Sequence, residues 1–171
     1  MDQRLAGLLK IRVRRGIGLA IRDICSSDPY VVVTMGEQKL KTRVIKKNCN
    51  PEWNDELTLT VTNPNLPIKL TVFDRDRFSD DDPMGEAEID IKPYLECVSM
   101  DLQDLPPGTA VKKIQPSRDN CLADESKVVW VKKGEMLQDM TLRLKNVERG
   151  EVQIQIEWND LFPANSKAST N

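Results

Sequence analysis

The chain has no histidine. That absence removes histidine-based catalytic triads and histidine-containing zinc sites together. Its four cysteines, Cys25, Cys49, Cys97 and Cys121, contain no C-x-x-C pair, so a structural zinc site is not expected. No Walker loop is present, and Gly16-Ile17-Gly18 lacks the third glycine and following helix of a dinucleotide site. No nucleophile or general base stands out, so intrinsic catalysis is not expected. No apolar run approaches a membrane span. The opening Met1-Asp2-Gln3-Arg4-Leu5-Ala6 lacks the apolar core of a signal peptide. With Asp2 after Met1 and no prenylation box at the end, neither N-myristoylation nor prenylation is expected. The expectation is an intracellular protein with reduced thiols whose membrane contact, if any, is peripheral. The net charge is only −2, so a bulk polyanion-binding surface is missing and nucleic acid is not an expected partner.

What is present is a two-residue rhythm. Leu9, Ile11 and Val13 alternate with Lys10, Arg12 and Arg14; the same pattern recurs at Leu57–Val61, Ile68–Val72, Ala87–Ile91, Met140–Leu144 and Val152–Trp158. Alternation of this kind marks strands with one apolar face. Tyr30–Met35 and Leu40–Val44 bring the expectation to eight strands. Two such sheets bury their apolar faces against each other, which predicts an all-β, eight-stranded antiparallel sandwich. At 171 residues the chain has room for one domain, read here as 1–163. Between about 92 and 135 the rhythm fails. Pro93–Met100 reads as a short helix with Tyr94, Leu95 and Val98 on one side, and Val111–Ile114 and Lys127–Val131 read as extra extended pieces. A structureless loop of that length is unusual in a compact domain, so a partly ordered insertion is expected. The last residues, 164–171, read as a disordered tail. Trp53 and Trp158 read as core or turn anchors.

Charge is distributed unevenly. Asp23 and Asp28 form one aspartate cluster, and Asp74, Asp76 and Asp82 form another. Each adjoins an apolar, β-branched run. Carboxylates at such spacing repel unless a divalent cation neutralises them or water screens them. Calcium takes six to eight oxygens at flexible geometry. Two loops at one end of a sandwich supply them, with the backbone carbonyls of Arg22 and Arg75 as further ligands. Five carboxylates exceed one divalent charge, so two ions balance the site better. An EF-hand does not fit: Ser79 stands where its glycine is required, and no bidentate glutamate follows. Elsewhere, Lys39, Lys41, Arg43, Lys46 and Lys47 fall within nine positions. The first three project to one strand face by period two. They read either as an anion-binding patch or as a solvated edge that blocks sheet aggregation.

These blocks carry a resemblance. Leu8–Val13, Ser27-Asp28-Pro29-Tyr30-Val31, Lys41-Thr42-Arg43-Val44, Asn50-Pro51-Glu52-Trp53-Asn54-Asp55, Val72-Phe73-Asp74-Arg75-Asp76 and Met84-Gly85, in this order, resemble the C2 domain. The long insertion and the ending Gly150–Trp158 are similar to those of the plant C2-domain abscisic-acid-related family. The resemblance implies a calcium site of Asp23, Asp28, Asp74, Asp76 and Asp82 with the carbonyls of Arg22 and Arg75, none of the acids being replaced. It implies calcium-dependent binding to anionic phospholipid at the cytoplasmic face of the plasma membrane, with cytosolic and nuclear pools. It implies recruitment of abscisic acid receptors of the PYR/PYL type, and hence a part in abscisic acid signalling, with the insertion as the partner surface. An alternative implied role is that of a GTPase- or ATPase-activating accessory to an Obg-like ATPase. Phe78 and Ile24, within the acidic loops, are expected to reach the headgroup region. Lys39, Lys41 and Arg43, extended by Lys46 and Lys47, are expected to meet phosphoinositide headgroups.

Overall fold

The computed structural model describes residues 6–22 and 27–161; Asp23, Ile24, Cys25 and the expected tail at 164–171 lie outside them. Each alternating run contributes to a strand. β1 (Gly7–Ile17), β2 (Pro29–Met35), β3 (Gln38–Lys41), β4 (Glu52–Val61), β5 (Ile68–Asp74) and β6 (Asp82–Glu88) precede one helix, α1 (Lys92–Val98). After it come β7 (Thr109–Ile114), β8 (Ser126–Lys132), β9 (Glu135–Arg143) and β10 (Glu151–Asp160). One sheet runs β4-β1-β10-β9-β8-β7 and the other β3-β2-β5-β6, with antiparallel pairing throughout. The eight expected strands are therefore present. The insertion contributes two more, β7 and β8, as a hairpin added to the edge of the larger sheet.

The core lies between the sheets. Leu9, Ile11 and Val13 on β1 face the same side as Trp158, Ile156 and Ile154, their partners on β10. All six are buried. After Val13 the register of β1 shifts against both neighbours, and Arg14 and Arg15 are exposed in succession. This β-bulge interrupts the alternation and lets Gly16 return to the interior. A second bulge interrupts β5–β6 pairing between Thr71 and Phe73. Gly85 lies opposite that break with φ +104°, and a Cβ there would stand 2.6 Å from Val147 Cγ1. Glycine is required on both counts.

Strand boundaries differ from the periodic reading in several places, of which β6 and β3 bear on the site. β6 begins at Asp82, earlier than Ala87, because Asp82 pairs with Asp74 across the sheet. β3 ends at Lys41, and Thr42 closes against Val31 through both its backbone N–H and its hydroxyl. In α1 the buried residues are Tyr94, Leu95 and Cys97, with Val98 only half-buried. Tyr94 ties the helix to the larger sheet: its hydroxyl donates to the Met136 carbonyl at 2.6 Å and accepts from the Trp158 N–H at 2.9 Å. Tyr94→Phe strands both backbone groups in the core, and an expected loss of about 1–3 kcal/mol follows. Urea unfolding measures it; an unchanged midpoint would contradict the role given to the hydroxyl.

Candidate metal and membrane site

Three segments meet at one end of the sandwich: 18–22 with 27–28, 42–51 and 75–81. Ser27, fully buried, shapes the first by donating its hydroxyl to the Ala20 carbonyl while accepting the Arg22 N–H. This seats Asp28 directly before β2. The Asp28 N–H donates to Asp74 Oδ1 at 2.8 Å, and the Arg75 N–H donates to the Asp28 carbonyl at 3.0 Å. Asp74, only 3% exposed, pairs in register with Pro29 on one side and Asp82 on the other. Pairing of β2, β5 and β6 therefore sets Asp28, Asp74 and Asp82 side by side along one sheet end. The second loop joins them when the Lys47 N–H donates to Asp28 Oδ1 at 2.7 Å. Lys47 adopts φ 52° to do so.

Asp76 is used differently. Its Oδ1 accepts the Phe78 N–H at 2.9 Å and its Oδ2 the Ser79 hydroxyl at 2.8 Å. The Phe78 N–H, followed by the Ser79 hydroxyl, holds its pKa below the ordinary carboxylate value. Asp81, which spacing alone did not single out, closes the loop. Its Oδ1 accepts the Asp76 N–H at 2.8 Å and its Oδ2 accepts the Tyr30 hydroxyl. The Asp76 N–H, then the Tyr30 hydroxyl, lower its pKa. Burial, with the Asp81 bond second, pushes the Tyr30 phenol up to about 12. Tyr30 in turn stacks on Phe73 at 5.7 Å. Nothing in the run Asp80-Asp81-Asp82 distinguishes the middle acid; only the turn of the loop selects it.

Arg22 closes the far side. Its guanidinium grips Glu148 with two bonds of 3.0 Å. The Glu148 bond raises the Arg22 pKa against partial burial, and the charges of Asp82 and Asp74 add to the rise. The same ion pair draws Glu148 down to about 2. Arg22 is thus a fixed cation beside the aspartates. Among the described residues, no three carboxylates already stand as a group that could hold a metal ion. The donor set brought together is nonetheless all oxygen, the chemistry a hard cation takes.

Phe78 projects from the 75–81 loop at 96% exposure. Behind it, on the outer face of the smaller sheet, Lys39 and Lys41 border a shallow depression floored by Tyr30, Val32 and Phe73. Both lysines are exposed. Arg43, read as the third member of that row, is committed elsewhere: its guanidinium binds Asp55 Oδ1 at 2.9 Å and the Trp53 carbonyl at 2.6 Å. Lys46 and Lys47 are exposed on the neighbouring loop, toward the aspartates.

Known proteins share this fold. The C2-domain family model covers residues 7–109. Protein C2-DOMAIN ABA-RELATED 4 of Arabidopsis thaliana is 61% identical over 157 residues, spanning 92% of this chain and 88% of its own length. GTPase activating protein 1 of Oryza sativa subsp. indica is 54% identical over 157 residues, spanning 92% and 94%. Among solved structures, the calcium-bound tandem C2 domains of Extended-Synaptotagmin 2 superpose with TM-score 0.65 at 23% identity, over 96% of this chain and 49% of that one. A single C2 domain of plant Extended Synaptotagmin 1 gives TM-score 0.61 at 20% identity, over 94% and 99%. These two establish the shared fold. A sandwich of this topology, matched along most of its length by relatives so named, belongs to the C2-domain ABA-related family of C2-domain proteins.

Proposed function

We propose that this protein is a calcium-dependent phospholipid-binding module that docks on the anionic cytoplasmic face of the plasma membrane and recruits abscisic acid receptors there. The observation that carries the reading is the placement of Asp28, Asp74 and Asp82 on three adjacent strand ends, next to a loop that holds Phe78 almost fully exposed. Asp23 completes the proposed set from outside the described residues, together with Asp76 and the carbonyls of Arg22 and Arg75. When bound, calcium (two ions in this reading) supplies positive charge and open coordination positions that phosphate oxygens complete. The residues of the chain do the rest. Without the ion, the carboxylates of the loop end repel an anionic leaflet, and Arg22 offsets them only in part because Glu148 holds it. Phe78, with Ile24, presents an apolar contact at headgroup level. Lys39 and Lys41, with Lys46 and Lys47 nearby, meet phosphoinositide phosphates; Arg43 supports the loop through Asp55. Calcium titration against pelleting of phosphatidylserine vesicles tests the reading, and calcium-independent pelleting would overturn it.

Each basic side chain near an anionic surface contributes about 1 kcal/mol. Lys39→Ala with Lys41→Ala is therefore expected to weaken binding to phosphoinositide vesicles by roughly thirty-fold at low salt. The difference narrows as salt screens the surface. Equal binding by the double variant would leave these lysines as edge protection alone.

A second reading rests on the rice relative whose name is GTPase activating protein 1. In it the chain stimulates an Obg-like ATPase from a binding surface, without catalysis of its own. Assay of the purified partner with and without this protein separates the two roles.

A further inference from the structure

Gln138 stands at an inward position of β9, opposite Val128 and Ile156, and is 2% exposed. Its Nε2 donates to the Ser126 hydroxyl at 2.9 Å. That hydroxyl spends its one hydrogen on the Asp139 carbonyl at 2.6 Å, so it can only accept from Gln138. The amide orientation is thereby determined. Gln138 Oε1 is left buried without a partner among the described residues. A stranded acceptor costs stability that an apolar side chain of the same volume would not. A donor from outside the domain would satisfy it.

Gln138 lines a partly enclosed cavity of about 90 Å³ beneath the insertion segment 115–125. The Arg143 N–H donates to the Cys121 carbonyl at 2.7 Å, and the Ala123 N–H donates to the Thr141 carbonyl at 2.8 Å, so β9 pins that segment over the opening. The walls include Met140 and Leu142, both buried. The exposed carboxylates of Glu88, Asp90 and Asp119 line the same cavity. Lys145 and Arg118 line it as well, so three carboxylates face two cations. An engineered cavity of about 150 Å³ holds benzene; this smaller one suits a linear group. Apolar walls, one carboxylate in excess and a buried acceptor together describe an aliphatic stem ending in cationic N–H donors.

We infer that this cavity is an anchor pocket for one lysine or arginine side chain of a partner protein docked on the insertion. The inference rests on the proposed role of the insertion as a partner surface. NMR titration of the full chain with n-butylguanidinium chloride, a stand-in for the arginine side chain, tests it without membrane or partner. Saturable shifts are expected at the Gln138 side-chain amide and the Met140 and Leu142 methyls, with a dissociation constant on the order of 1 mM. Asp90→Asn with Asp119→Asn, both at exposed positions, should weaken binding by roughly ten-fold, the scale of one charge-assisted hydrogen bond. Gln138→Met should abolish binding while melting at the same or a higher temperature, because the stranded acceptor is gone. No saturable shift, or equal affinity in the substituted proteins, means that the cavity holds water only and overturns the proposal. Because the titration omits receptor and vesicle, failure of receptor recruitment would leave its result unchanged and is distinguishable from it.

Discussion

Asp74→Asn combined with Asp76→Asn abolishes calcium-dependent vesicle pelleting while leaving the fold intact. The expectation follows from what each carboxylate does. Asp74 is buried at the end of β5 and accepts the Asp28 N–H through Oδ1. An asparagine oxygen can accept that same bond, so the junction between the first and third loops survives. Asp76 accepts the Phe78 N–H through Oδ1, which asparagine also preserves. What disappears is two negative charges at the proposed cation site, and hard cations draw their affinity from ligand charge. A second readout separates binding from folding. Calcium bound only to the native state raises its stability by about 2.7 kcal/mol at one hundred times the dissociation constant. The parent protein should therefore melt higher in calcium than in chelator, and the double variant should melt alike in both. Undiminished pelleting by a folded double variant would sink the metal assignment.

Trp53→Ala should cost about 3–5 kcal/mol, the range for removing a large buried aromatic. Trp53 is fully buried, and its Nε1 donates to the Pro29 carbonyl at 3.1 Å. Its own carbonyl receives Arg43 Nη2. Truncation leaves a cavity and removes one of the two hydrogen bonds to the Pro29 carbonyl, which keeps the Ile45 N–H, one residue from Asp28. Against a total stability of about 5–15 kcal/mol, that loss is a large fraction. Trp53→Phe should recover much of the packing but not the hydrogen bond, placing it between the two. Urea midpoints order the three proteins; a loss below about 1 kcal/mol for the alanine variant, the scale of an ordinary surface substitution, would contradict the anchoring role. The same substitution should also weaken calcium-dependent pelleting, since Pro29 pairs with Asp74.

Legibility in the residues alone differs from element to element. Alternation located six of the eight expected strands because a strand's apolar face is written in its own two-residue period. It missed the start of β6 because Asp82 and Pro83 carry no apolar signal. Pairing with Asp74 and Phe73 makes them strand. The insertion read as irregular because Thr109–Ile114 has Lys112 and Lys113 in succession. A bulge between Ala110 and Lys112 absorbs the break in rhythm. Arg43 fitted a lysine-type row by spacing, yet a guanidinium forks onto a carboxylate and a carbonyl where an ammonium does not, and Asp55 with Trp53 claims it. Gln138 interrupts no motif and gave no warning.

By itself, the sequence determined the sandwich, the absence of histidine chemistry and the two aspartate clusters, because composition and period are local properties. Tertiary structure decided which acids become neighbours: Asp28 and Asp74 are 46 residues apart and meet only through strand pairing. It also decided that Asp81 latches the loop to Tyr30, that Arg22 is held by Glu148 across 126 residues, and that Gln138 faces a cavity. Contacts at such separations depend on register and loop path, which no short window of residues encodes.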